Sequence, residues 1–223
     1  MGPLLSFIDV GTGSAYYGFE ASLSFDVYAG QVVSLDVPER LGVTIARMVR
    51  GEVEPTTGSA FLLGRDITTM GPAEIRRAHS STVATLPSFP RVDDSMSVRE
   101  WLMQKLLLRG LRPTAAAREV VRALSGAGRE DLGIRYPAEL SATEIRWTSL
   151  LHTLIGEPRL VVAESEAFGT DPRSAAAMIG YARDWCTRTR SAVLWPTHWL
   201  RGACMATRML VYSAGRCVDA DED

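Results

Sequence analysis

Apolar and polar residues alternate in two stretches near the start of the chain, and continuous apolar runs follow later. The alternation at residues 4–9 and 22–27 predicts strands that bury one face and expose the other. The apolar run at 160–163 and the mostly apolar segments at 32–35 and 191–195 predict buried strands. Such runs are typical of the inner strands of a sheet that helices cover.

Helical spacing and capping residues mark the segments between these strands. Ser97 is a good N-cap residue, and Trp101, Leu102 and Leu106 follow it at helical spacing. Further strands are predicted at 81–85, 208–212 and 215–218. The predicted helices are 44–50, 72–79, one that begins at Ser97, 114–127, 141 to about 156, and 174–187.

Composition and charge narrow the class of protein. The 223 residues are 46% hydrophobic and 22% charged, which is ordinary for a globular domain with a substantial core. No apolar run approaches the length of a membrane span and the N-terminus lacks a signal-peptide pattern, so we expect neither feature. A net charge of −2 argues against nucleic acid as the main partner. Three cysteines without metal-ligand spacing predict free thiols and no metal site.

The segment 136–171 carries the most specific pattern in the chain. It reads YPAELSATEIRWTSLLHTLIGEPRLVVAESEAFGTD: a turn, a helix, a polar turn and a buried strand that ends in acidic residues. It resembles the segment from the signature helix to the Walker B strand of ATP-binding cassette (ABC) ATPases, whose pattern is roughly YP-x-ELSGGE…RA-L…EPRLLLADEP…LD. The resemblance can be followed over residues 4–218 and looks most like the subunits of lipoprotein-releasing, macrolide-exporter and FtsE-like transporters.

The resemblance implies an α/β fold. The expected architecture is an ABC-type P-loop (RecA-like) core with an N-terminal antiparallel β subdomain and an inserted α-helical subdomain. The whole chain is then one ABC ATPase-like domain. Its core and β subdomain are expected at 1–86 and 151–218, its helical subdomain at 88–150, and an acidic tail at 219–223.

The phosphate loop of the family is the first place where this sequence departs from the pattern. Such a loop needs glycines, a lysine for the β/γ-phosphates and a Ser or Thr for Mg²⁺. Asp36 takes the place of the first glycine, Gly42 of the lysine and Val43 of the Ser/Thr. Thr44 has a hydroxyl but lies one position farther on, at the predicted start of a helix.

Charge also opposes phosphate binding in this stretch. Asp36 and Glu39 supply negative charge, and Lys105, the only lysine in the chain, lies far from the loop. We therefore expect a vestigial loop at 36–43 that does not hold ATP in the usual way.

The positions of metal binding and catalysis are also altered. After the strand at 160–163 the family has an aspartate for Mg²⁺ and a glutamate that orients the attacking water; this chain has Glu164 and Ser165. Ser165 is too weak a base for that role, which contributes about 10²–10⁴-fold. A glutamine that senses Mg²⁺ is replaced at Pro87 or Ser88, whereas His198 matches the switch histidine. We expect these positions to be degenerate and the chain to have no catalytic residue.

The signature motif keeps only part of its pattern. In the family its serine and glycines contact the γ-phosphate bound by the opposite subunit, at a helix N-terminus. Here Ser141 and Glu144 remain, while Ala142 and Thr143 replace the glycines. The same Ser-x-x-Glu spacing is also a capping box that merely starts a helix, and the sequence leaves both roles open. Asp171 keeps the aspartate of the subunit-contacting D-loop.

Two further sites are implied by the resemblance. Tyr17 lies where the family has an aromatic residue that stacks on adenine, although a tyrosine that covers a sheet edge fits the same pattern. The segment 87–98, with Phe89 and Met96 as exposed apolar residues, is expected to line the groove that receives a permease.

These features together favour one hypothesis and leave two alternatives. The first is a catalytically degenerate nucleotide-binding subunit that lies at the cytoplasmic face of the membrane, paired with a competent ATPase subunit and a transmembrane permease. No cofactor is expected at the site of this chain itself, and Mg-ATP would be held by the partner subunit. The alternatives are an ABC-fold scaffold or regulatory protein without transport coupling, and an active ATPase with an unusual site.

Overall fold

The computed structural model describes residues 2–12, 21–169, 171–198, 205–213 and 216–220. Within these ranges the chain forms two sheets and a set of helices that cover them. A four-stranded antiparallel sheet has the order β2-β1-β4-β5. Its strands are β1 Leu5–Thr12, β2 Ala21–Val27, β4 Thr57–Leu62 and β5 Arg65–Asp66.

The larger sheet has six strands in the order β10-β9-β3-β8-β7-β6. Neighbouring strands from β9 to β6 are parallel, and β10 adds an antiparallel edge. Parallel strands bring their carboxyl ends to one edge, which is where ligands bind in α/β folds. The strands are β3 Val32–Asp36, β6 Val83–Leu86, β7 Leu160–Ala163, β8 Ala192–Thr197, β9 Arg208–Ser213 and β10 Arg216–Asp219.

Helices pack on both faces of this sheet. They are α1 Glu39–Val49, α2 Pro72–Ser81, α3 Val98–Leu108, α4 Pro113–Gly126, α5 Ala142–Leu154 and α6 Pro172–Thr189. Val33 and Leu35 of β3 join a hydrophobic cluster with α1 and the small sheet. Val32 joins a second cluster with α3 to α6. Alternate residues of the strand therefore face opposite cores, as the period of two requires.

The predicted α/β fold class is confirmed, and most predicted elements lie where the pattern placed them. β7 has the predicted bounds, and the other predicted strands and helices match to within a few residues. Among the described residues, no helix is both long enough and apolar enough to span a membrane.

The prediction of a loop over residues 36–43 is wrong. Helix α1 begins at Glu39, five residues before the predicted start at Thr44. Pro38 is its N-cap residue, with φ −52°, and Leu41 and Ile45 are fully buried. A proline favours the start of a helix because its φ is already fixed near the helical value. Val37 and Pro38 form the short connection between β3 and α1.

Candidate functional site

The candidate site is the carboxyl edge of the large sheet. Asp36 ends β3 and pairs with Thr197 of β8. The N–H of Val37 donates to the carbonyl of Thr197 at 3.2 Å, which closes the edge between the two strands. Glu164 follows β7 and His198 follows β8, so the acidic, hydroxyl and imidazole side chains singled out from the sequence do meet here.

The first turn of α1 lies at this edge. Gly42 is buried, and a Cβ built on it would lie 3.0 Å from the Cβ of Pro196 in β8. A residue larger than glycine therefore does not fit between helix and strand without a shift. Glu39 places a carboxylate in the first turn, where the positive end of the helix dipole attracts anions and the side chain itself repels them.

The side chains next to Gly42 are not directed to a phosphate or metal. Thr44 is buried, and its Oγ1 donates to the carbonyl of Arg40 at 3.1 Å. Val43 is 52% exposed. The Thr44 hydroxyl thus bonds within its own helix.

Lys105 is used elsewhere in the molecule. It lies on α3, and its Nζ donates to the carbonyls of His152 and, at 3.3 Å, Thr153 near the end of α5. Burial, and then the charge of Arg109, lower its pKa to about 8. Trp101 stacks on the His152 ring, with centroids 3.8 Å apart and planes 9° apart.

The carboxylate of Glu164 is bound by the main chain. Its Oε2 accepts the N–H of Ser88 at 2.8 Å, which joins the end of β7 to the segment after β6. The Oγ of Ser88 accepts the N–H of Glu166 at 3.1 Å. Arg146 of α5 donates to the carbonyls of Ser88 and Glu166, each at 2.8 Å. Sequence reasoning missed Arg146, because its partners lie 58 and 20 residues away.

Ser165 and His198 form a hydroxyl–imidazole pair. The Oγ of Ser165 lies 3.2 Å from Nδ1 of His198. The carbonyl of Ser165 accepts the indole N–H of Trp195 at 3.0 Å and the hydroxyl of Thr197 at 3.5 Å, so its backbone is fixed. The two side chains can share a hydrogen bond, but the pair contains no carboxylate that could act as a strong base.

The N-terminus of α5 is built by a complete capping box. Oε2 of Glu144 accepts the N–H and the hydroxyl of Ser141, each at 2.7 Å, and the N–H of Glu144 donates back to Oγ of Ser141 at 3.4 Å. Arg135 pairs with the other oxygen of Glu144 at 2.5 Å. The bonds from Ser141, and then Arg135, lower the pKa of Glu144 to about 2. Ala142 and Thr143 form the first turn of the helix.

The remaining sequence-predicted residues have different surroundings. Asp171 caps α6 by accepting the N–H of Ser174 at 2.8 Å. Phe89 is 80% exposed, as expected, whereas Met96 is half-buried, so its prediction as an exposed group is wrong. Met96 is the last residue of the turn at 93–96, in which its N–H donates to the carbonyl of Asp93 at 3.5 Å. Tyr17 lies outside the described residues.

Comparisons with known proteins find relatives in sequence and neighbours in fold. No family model matches the chain. The lipoprotein-releasing system ATP-binding protein LolD of Nitrobacter hamburgensis is 25% identical over 196 residues, which are 87% of this chain and 84% of that protein. LolD of Psychrobacter arcticus is 23% identical over 88% of this chain and 91% of its own length.

Solved structures agree in fold. CbiO1 of Clostridium perfringens, part of the ABC transporter complex cbiONQ, superimposes with a TM-score of 0.83 at 16% identity, covering 98% of this chain and 88% of that one. In sequence the chain is similar to LolD-type ABC transporter ATP-binding subunits, and in fold it is similar to ABC cassettes.

The assignment of the first turns of α1 to the phosphate loop, of the end of β7 to the Walker B motif and of Ser141 to the signature stays a prediction from the sequence. The ABC cassette MJ0796, solved as a dimer bound to ADP and Pi, has a TM-score of 0.75 at 13% identity, with 96% of each chain covered. That likeness concerns the fold alone.

Proposed function

We propose that this ABC subunit does not hydrolyse ATP itself and acts by assembling with a competent ATPase subunit and a membrane permease. The observation that carries the proposal is the start of α1 at Glu39. Phosphate binding in a P-loop needs backbone N–H groups that converge in a glycine-rich loop, together with a cation. Here the same residues form a helix, with a carboxylate in its first turn.

The catalytic positions support the same conclusion. Glu164 accepts a main-chain N–H, and Ser165 pairs with His198 where the family has a glutamate. A hydroxyl in place of a general base removes a contribution of about 10²–10⁴-fold. The chain therefore lacks both the phosphate cradle and the base.

The signature side gives this subunit a role toward a partner. The first-turn N–H groups of an α-helix have no acceptor within the helix, and its dipole favours an anion there. The N-terminus of α5, which begins at Ala142 after Ser141, presents such groups. In a head-to-tail pair it would face Mg-ATP held by the competent partner.

The permease is proposed to dock at the segment 87–98. Phe89 exposes 80% of its surface there, and a contact with a cytoplasmic segment of the permease would cover it. This docking would hold the subunit at the cytoplasmic face of the membrane as a peripheral protein.

Titration of the purified chain with a fluorescent ATP analogue and Mg²⁺ tests the proposal. We expect no saturable binding at micromolar concentrations and no phosphate release, while an intact ABC ATPase subunit in the same assay gives both. Micromolar binding together with turnover that survives Ser165→Ala would overturn the proposal.

A scaffold without transport coupling is the second candidate, and one observation favours it. The hydroxyl of Ser141 is already engaged with Glu144 in the capping box. If capping the helix is the whole role of Ser141, the subunit has only a structural role in the complex. A substitution at Ser141, argued in the Discussion, separates the two functions.

A further inference from the structure

The segment that follows β6 is held by hydrogen bonds to two other parts of the chain. Ser88 is buried, and all three of its polar groups are bonded: its N–H to Glu164, its Oγ to the N–H of Glu166, and its carbonyl to Arg146. We call Ser88, Arg146, Glu164 and Glu166 the Ser88 clasp. It joins the end of β6, the turn after β7 and helix α5.

Arg146 is the member that reaches across from the helical layer. Its Nη1 donates to two carbonyls, those of Ser88 and Glu166, each at 2.8 Å. The stem of the side chain lies against Gly169, where a Cβ would be 3.2 Å from Cδ of Arg146. Gly169 has φ +78°, a conformation that favours glycine and leaves room for the arginine. The guanidinium is therefore positioned by packing as well as by hydrogen bonds.

The Ser88 clasp lies beside an apolar contact that joins the same three parts: the end of β6, the turn after β7 and helix α5. Leu86 at the end of β6, Trp147 next to Arg146, and Phe168 next to Gly169 belong to one buried cluster with α3 and α4. Phe168 also packs edge-on against Trp195 of β8, with ring centroids 4.9 Å apart. Polar and apolar contacts thus fix the same joint between the helices and the sheet.

We propose that the Ser88 clasp fixes the helical layer, α3 to α5, against the carboxyl edge of the sheet without any bound nucleotide or cation. Each bond of the clasp has protein atoms at both ends, and the carboxylate of Glu164 is satisfied by a main-chain donor. Arg146 is the positioning residue of this device, because from α5 it donates to both the segment after β6 and the turn after β7. The proposal rests on the geometry of this chain and is independent of the proposed partners.

Hydrogen exchange of the full, nucleotide-free chain, read by mass spectrometry, tests this directly. In the wild type we expect slow exchange in the peptides that contain the amides of Ser88 and Glu166. Arg146→Gln should speed exchange in both peptides by about tenfold or more, the scale of losing a hydrogen bond to a charged group. Arg183→Gln, which changes an exposed arginine on α6, is the matched control and should leave both peptides unchanged.

A second variant keeps the test decisive if Arg146→Gln does not fold. Ser88→Ala removes only the Oγ that accepts the N–H of Glu166, so exchange should increase in the Glu166 peptide and much less in the Ser88 peptide. Fast exchange of both peptides in the nucleotide-free wild type would overturn the proposal. So would an Arg146→Gln protein that folds and exchanges like the wild type.

Discussion

Gly42 has a structural role that depends on its lack of a side chain. From the sequence it is predicted to occupy the position of the phosphate-loop lysine of ABC ATPases, and in the structure it allows close contact between α1 and β8. Pro196, the residue it faces, lies in an inner strand between β3 and β7, which leaves little freedom to move away. Restoring the family residue at this one position would therefore meet a steric obstacle.

Gly42→Lys should destabilise the chain and should not create ATP binding. Overpacking of a buried contact costs about 1–3 kcal/mol of unfolding free energy, and the neighbouring backbone remains helical. Urea unfolding and the fluorescent ATP titration measure the two effects. Val43→Lys adds the same charge at a half-exposed neighbour and is the matched control. ATP binding by Gly42→Lys with full stability would contradict the packing argument.

Helices α1 and α5 differ at their N-termini. α1 starts at Pro38 and Glu39, with no side-chain cap, and packs Gly42 on the strand beneath it. α5 starts with the bonded pair Ser141 and Glu144. Both first turns hold an acidic residue, but Glu144 of α5 is bonded to Ser141 and paired with Arg135, so the signature side is the better candidate for contact with an anion.

Ser141→Arg should lower the ATPase activity of a complex assembled with a competent partner while assembly is preserved. The long cation would occupy the space before the first turn, where a helix N-terminus interacts with an anion by about 0.3–2 kcal/mol. Steady-state phosphate release and co-purification measure the two outcomes.

Two controls separate capping from contact with the phosphate. Ser141→Asp retains a good N-cap residue but repels phosphate, so it should lower activity as well. Ser125→Arg places the same charge at an exposed position of α4 and should change nothing. Unchanged activity in Ser141→Arg and Ser141→Asp would assign Ser141 to the helix cap alone and favour the scaffold.

The elements that could be predicted from the sequence are those determined by local pattern. β7 and the start of α5 follow from an apolar run and a capping box, both of which act within a few residues. The start of α1 was predicted too late, because the family's loop was expected where Pro38 and Glu39 already mark a helix start. The bond between Ser88 and Glu164 spans 76 residues and depends on the strand order, which no local pattern specifies.

At the scale of the molecule, the large sheet separates two cores. One core joins α1 to the small sheet, and the other joins α3, α4, α5 and α6 to the opposite face. The helical layer therefore shares its core with the sheet and does not form a separate one. The stability of this layer is part of the stability of the whole chain, so a single group within it can affect global unfolding.

The stacked ring of His152 has such an effect through proton binding. Burial, and then the charge of Lys105, lower its pKa from 6.5 to about 3. Below pH 6.5 His152 binds a proton in the unfolded chain but not in the native chain. The free energy of unfolding therefore decreases as the pH is lowered, by up to about 1.4 kcal/mol per pH unit. Urea unfolding at neutral and mildly acidic pH should show a smaller acid loss for His152→Phe, which keeps a ring on Trp101, than for the wild type.

Comparing each protein with itself at neutral pH removes the packing change that the substitution also makes. An equal decrease in the free energy of unfolding at acidic pH in His152→Phe and the wild type would show that His152 does not cause the pH dependence. The stacked ring of His152 thus makes the folded fraction of the whole subunit depend on the proton concentration. The group that responds to acid lies in the helical layer.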